Sequence, residues 1–127
     1  MTGVQTCALP ICSPLLTELA GGRTPTPELV HQAALKGDGV AREIIERAGY
    51  YLGLGLVGLL NCFNPEALIL GGGLTALGEL YLGPAERTAR AGAFEQIVAD
   101  VTITTAQLGE RAGALGAAAL VMENSVR

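Results

Sequence analysis

Apolar positions recur at helical spacing through the first half of the chain. Leu15, Leu16 and Leu19 share one helical face, and Gly21-Gly22 ends that element. Thr26-Pro27-Glu28 predicts a second helix start: a cap, a first-turn proline and an acid near the positive end of the dipole. Leu29, Val30, Ala33 and Ala34 form its buried stripe, and Lys36-Gly37 ends it. Asp38 can cap a third helix with the stripe Ala41, Ile44, Ile45, Ala48 and Leu52. Beyond Tyr50 that helix is apolar all round, the pattern of a buried element.

The period changes after Asn64-Pro65. Proline has no N–H and disfavours helical geometry in the residue before it, so the helix stops there. Ala67 to Leu70 is an apolar run bounded by turn signals, which predicts a strand buried on both faces. Gly71, Gly72 and Gly73 follow, and Thr75 can cap the next helix. Ala76 to Leu82 reads as a short helix, and Pro84 can start another through about Ala91. Val101 to Thr105 is β-branched throughout and predicts a second strand. Gln107-Leu108-Gly109 leads into a last helix, Arg111 to Glu123. Its small residues Gly113, Gly116, Ala117 and Ala118 are expected to pack tightly on the sheet or the glycine-rich helix.

Strands separated by helices predict an α/β fold with a parallel sheet and a right-handed crossover. Two strands are too few for an independently stable sheet, so the chain reads as the C-terminal piece of something larger. Its length of 127 residues allows one domain and not two.

Strand, glycine loop and helix in that order mark where α/β proteins place nucleotides. Two readings of the glycines stand side by side: a ligand cradle, or a tight turn that lets helix and strand pack closely. No Gly-Lys-Ser or Gly-Lys-Thr follows, so this is not a P-loop, and the spacing is not GxGxxG. Gly49, Gly53, Gly55 and Gly58 weaken the third helix by up to about 1 kcal/mol each relative to alanine. Close approach of another backbone is the expected compensation.

Charge excludes some functions. The net charge is −4 and the eight basic residues are scattered among acids, which is not a nucleic-acid footprint. The uncharged stretch Ala48 to Pro65 contains four glycines, two asparagines and a proline. Its apolar part falls well short of the roughly 20 residues that a bilayer needs. His31 reads as a surface residue, because no Cys, Asp or second His stands at ligand spacing.

Met1 to Ile11, MTGVQTCALPI, has no period, no charge and no basic signal-peptide start. It resembles the translation of a common sequencing-adapter strand, with Cys12 at the junction. Residues 1–12 are therefore expected to be an artefactual extension, and 13–127 a truncated domain. That leaves Cys62 as a lone, small core residue. It builds no disulfide framework and no metal site, and a reduced cytoplasm is the expected compartment.

Three stretches carry a family resemblance: AALKGDGVAREI, YLGLGLVGLLNCFNPEALILGGGL and LGERAGALGAAAL. They resemble the C-terminal part of the ROK family, which comprises bacterial sugar kinases such as glucokinase and related sugar-responsive repressors. The resemblance implies an incomplete C-terminal lobe of the actin-like, ribonuclease-H-like ATPase fold, in which two α/β lobes close on ATP. It implies nucleotide contact at Gly71, Gly72 and Gly73, with ATP, Mg and a sugar as partners of the full-length parent.

The family's Asp-x-Gly-x-Thr phosphate motif, catalytic aspartate, Glu-x-Gly-His sugar-binding stretch and zinc-holding cysteine cluster have no counterpart in this chain. No catalytic residue and no metal ligand is assigned, and the expectation is a kinase fragment inactive alone. A repressor fragment and a non-catalytic dimerisation module are the alternatives. No nucleic-acid contact from this segment and no membrane contact are expected. Unpaired strand edges and the apolar helix are expected to drive homo-oligomer formation.

Overall fold

The computed structural model describes residues 13–125, so the adapter-like segment 1–12 lies outside the described residues. Polar caps start the first three helices. Ser13 Oγ accepts from the Leu16 amide at 3.1 Å and opens α1, Pro14–Ala20. Thr26 opens α2, Pro27–Leu35, with proline in its first turn. Asp38 Oδ1 accepts from the Ala41 amide at 2.9 Å and opens α3, Gly39–Phe63. Ser13 Oγ also donates to Asp38 Oδ2, which ties the starts of α1 and α3 together. Leu16, Ala33, Ala34, Ala41 and Ile45 close the first core beneath them.

α3 ends as Asn64-Pro65 predicts. Asn64 is left-handed, with φ 44°, and its amide bonds to the Leu60 carbonyl at 2.9 Å. β1, Ala67–Leu70, follows. A 3-10 turn, Gly73–Leu77, leads to α4, Glu79–Gly92. Then come a short α5, Glu95–Asp100, and β2, Thr102–Thr105. A second 3-10 turn, Gly109–Arg111, precedes α6, Ala112–Ser125.

β1 and β2 pair in parallel, with Ala67 opposite Thr102 and Leu70 opposite Thr105. Leu56, Leu60, Ala89 and Val101 form a second core, against which Leu68, Leu70 and Ile103 pack. The third helix, the crossover helix and one sheet face thus share one apolar layer. Asn61 Oδ1 accepts from the Phe94 amide at 3.0 Å and fixes the end of α3 to the start of α5.

The glycine compensation holds for half of the four. A β-carbon at Gly49 would overlap the Tyr81 carbonyl oxygen, and one at Gly53 would stand 2.6 Å from the Ala85 carbonyl oxygen. Gly55 and Gly58 face open space.

Several expectations are corrected. β1 is not buried on both faces, since Ile69 is 67% exposed and alternation turns it away from the core layer. The apolar end of α3 is covered on one side only: Tyr50, Tyr51, Leu54, Leu59 and Phe63 are exposed. Ala48 and Cys62 are exposed with them, so Cys62 is not a core residue. His31 is half-buried rather than on the surface. Pro84 does not start a helix. It sits inside α4, where it packs on the Gly49 side of α3. It cannot donate to the Leu80 carbonyl, a loss that the α3–α4 seam outweighs. α5 was not expected. The small residues of α6 do not pack: Gly113 and Gly116 have no neighbouring atom within 4 Å of a β-carbon position, and Leu120 is exposed.

Candidate functional site at the carboxyl edge of the sheet

Parallel pairing places the carboxyl ends of both strands at one edge. The Ala106 amide donates to the Leu70 carbonyl at 2.8 Å, one residue beyond the paired strands. Gly71 lies against Ala106, whose β-carbon would be 3.5 Å from one built on Gly71. The residues after β1 and after β2 therefore sit side by side. The sequence reading named only the first of these loops; a parallel pair requires the second to lie beside it.

Gly72 carries the unusual conformation, with φ 108° and ψ 168°. Its carbonyl accepts from the Thr75 amide at 3.1 Å and from Thr75 Oγ1 at 2.7 Å. Thr75 is thus no N-cap. Its hydroxyl donates back to the loop and holds Gly72 in place. Gly78, with φ 62°, closes the 3-10 turn by donating to the Thr75 carbonyl at 3.1 Å.

All three loop glycines are exposed, and β-carbons on Gly72 and Gly73 would meet nothing within 4 Å. A β-carbon on Gly71 would make only ordinary contact with Ala106, and the tight-turn reading fits Gly72, whose φ of 108° favours glycine. It does not account for Gly73, where no left-handed angle and no neighbour demands glycine. An open backbone surface at the end of a strand is what a flat ligand needs in order to lie against peptide groups.

Ionisable chemistry is sparse. Among the described residues no group of three His, Cys, Asp or Glu side chains can hold a metal. Glu28 is held below the usual carboxylate range by a hydrogen bond from Thr26, at the exposed start of α2. Arg47 is raised by its contact with Tyr51, whose ring centroid lies 6.0 Å from the guanidinium carbon. Neither is part of the sheet edge. A surface groove of about 300 Å³ between α3 and α4 is lined by Arg42, Glu46, Glu79, Leu80, Pro84 and Arg87. None of the three loop glycines lines it.

The family model described as "ROK family" matches residues 18–124. The chain belongs to the ROK family. It is 33% identical over 103 residues to the glucokinase of Halalkalibacterium halodurans, covering 80% of this chain and 31% of that protein. It is 32% identical over 99 residues to the xylose repressor of Caldicellulosiruptor bescii, covering 78% of this chain and 25% of that one. Among solved structures, a ROK family glucokinase from Streptomyces griseus, in complex with glucose and AMPPNP, superposes with a TM-score of 0.73. That match is 33% identical and covers 84% of this chain and 35% of the S. griseus chain. The ROK chain therefore spans about a third of the S. griseus protein, and its α/β fold is that of the actin-like ROK sugar kinases. No helix among the described residues is long and apolar enough to cross a membrane.

Proposed function

We propose that this chain is the nucleotide-side part of an ATP-dependent sugar kinase of the glucokinase type. Its domain starts at about residue 13, after the adapter-like extension. In that reaction the γ-phosphoryl group passes from ATP to a hexose hydroxyl, ADP departs, and the hydroxyl proton goes to a base. The base, the phosphate motif and the sugar contacts belong to parts of the family fold without counterparts here. Phosphoryl transfer is mostly positioning and electrostatic stabilisation, so a lobe without those parts is inactive alone.

One observation carries the reading: the exposed backbone of Gly71, Gly72 and Gly73 at the carboxyl edge of the sheet, braced from behind by Thr75. The S. griseus relative, with glucose and AMPPNP bound, supports a nucleotide and a sugar as ligands of the whole protein. ATP supplies the phosphoryl donor, with Mg as its companion ion. The three glycines hold the adenosine side, and no residue of this chain is assigned to the metal. A cytoplasmic setting, where ATP is found, goes with this reading.

A coupled assay with ATP and several hexoses tests the inactive-fragment part. The chain alone is expected to stay at background, and turnover that purifies with it would overturn the fragment reading. A second reading, part of a sugar-responsive repressor, is favoured by the likeness to the C. bescii xylose repressor. Nucleotide affinity separates the two, since only the kinase reading requires it.

A further inference from the structure

The groove between α3 and α4 lies apart from the loop glycines, and the nucleotide reading makes no use of it. Its volume is about 300 Å³, at the small end of ligand-sized sites. Leu80 and Pro84 give it an apolar surface, and each wall carries one charge of each sign. Arg42 and Glu46 come from α3, Glu79 and Arg87 from α4. Gly83 arranges two of these charges. A β-carbon there would overlap Glu79 Oε1 and stand 3.1 Å from Arg87 Nη1. The carboxylate and the guanidinium thus both reach into the space that a side chain at position 83 would fill.

Among the described residues no ion pair joins any two of the four groove charges. On the same helix Glu86 does pair with Arg90, at 2.8 Å and one turn apart. Glutamate before a cation is the favourable order for such a pair, and Arg42 before Glu46 is the reverse. Free charges of both signs around an apolar surface select their occupant. A plain anion is opposed by the two carboxylates, and a plain cation by the two guanidiniums. A neutral apolar molecule takes water from all four and returns no hydrogen bond. We propose that the groove binds a small zwitterion with an apolar body: a free α-amino acid such as leucine or phenylalanine. Its carboxylate faces the guanidiniums, its ammonium faces the carboxylates, and its side chain covers Leu80 and Pro84. Charge-assisted hydrogen bonds are the strong ones, so both ends of the ligand contribute. The proposal is independent of the kinase reading, because no loop glycine lines the groove.

The test is isothermal titration calorimetry of the 127-residue chain with leucine and with phenylalanine. N-acetyl-leucine keeps the carboxylate and loses the ammonium, and leucine amide does the opposite. The expected result is saturable, one-site binding of both amino acids, weaker by about tenfold or more for either leucine derivative. Glu79→Gln and Arg87→Gln change exposed residues, and circular dichroism checks that each variant keeps its fold. Each is expected to weaken leucine binding by a similar factor. Gly83→Ala works from beneath. Its methyl displaces the flexible ends of Glu79 and Arg87, while alanine favours the helix. A chain at least as stable as the native one is therefore expected to bind leucine several-fold less tightly.

Three results would overturn the proposal. They are no binding of either amino acid, a derivative with a single charge bound as tightly as leucine, and leucine binding indifferent to all three variants. The titration needs no nucleotide and no turnover, so its failure would leave the kinase reading where it stands.

Discussion

The carbonyl oxygen of Tyr81 lies against the α-carbon of Gly49, so close that a β-carbon on Gly49 would overlap it. Gly53, one turn on, meets Ala85 and Thr88 in the same way. The α3–α4 seam therefore brings the backbone of α3 against the Tyr81 and Ala85 carbonyls and against the Pro84 and Thr88 side chains.

Substitutions along α3 separate the two kinds of glycine. Gly49→Ala forces the helices apart and is expected to destabilise by about 1–3 kcal/mol, the usual cost of overpacking. Gly55→Ala places its methyl in open space and is expected to stabilise by up to about 1 kcal/mol through helix propensity. Urea unfolding of both variants checks the pair. Equal effects in the same direction would contradict the seam.

The linked caps make a second prediction. Asp38→Ala removes the α3 cap and the acceptor for Ser13, and is expected to cost about 1–2 kcal/mol. Ser13→Ala in the Asp38→Ala background is expected to cost less than in the native chain, because the shared bond is already gone. A double-mutant cycle by thermal unfolding reads the coupling, and strict additivity would deny it.

Deleting Met1 to Ile11 stops short of Ser13 and leaves the α1 cap intact. Tm and solubility are expected to stay unchanged within error. A large fall in Tm would mean that the segment packs on the domain.

The chain alone is expected to self-associate. Ile69, one side of α3 and Leu115, Leu120 and Met122 of α6 are exposed, and exposed strand edges and apolar patches drive association. Size-exclusion chromatography with light scattering is expected to show dimers or larger species. A clean monomer with cooperative unfolding would contradict this.

Much of the fold was legible because local chemistry decided it. The Asp38 cap, the Asn64-Pro65 stop, both strands and their parallel pairing follow from cap, turn and β-branching signals. What the sequence hid was set by tertiary contact. Pro84 looks like a helix start, yet α4 runs through it because its ring packs on the Gly49 side of α3. Gly55 and Gly58 look like Gly49 and Gly53, and only the position of α4 tells them apart. Thr75 offers the same hydroxyl to a cap or to the loop behind it, and the loop takes it. The outward exposure of Ile69, Cys62 and α6 has another origin. Apolar character alone predicts burial, and only the positions of α3, α4 and the sheet show which side is covered. At the site, the three glycines were visible as a motif. The neighbouring position of Ala106 and the brace from Thr75 were not, because they depend on strand pairing and on one hydroxyl rotamer.

The nucleotide role of the loop is most directly tested at Gly72. Residues 13–125 would replace the matching segment of the S. griseus glucokinase, and Gly72→Val would be made in that chimera. Gly72 has φ 108°, so valine strains the turn in any case. ATP and glucose affinities are therefore measured on protein whose fold circular dichroism confirms. The account predicts an ATP Kd raised by about tenfold or more, because a branched side chain intrudes where backbone meets adenosine. The glucose Kd is expected to stay the same. An unchanged ATP Kd in folded Gly72→Val protein would contradict the account, and the three glycines would be a tight turn and nothing more.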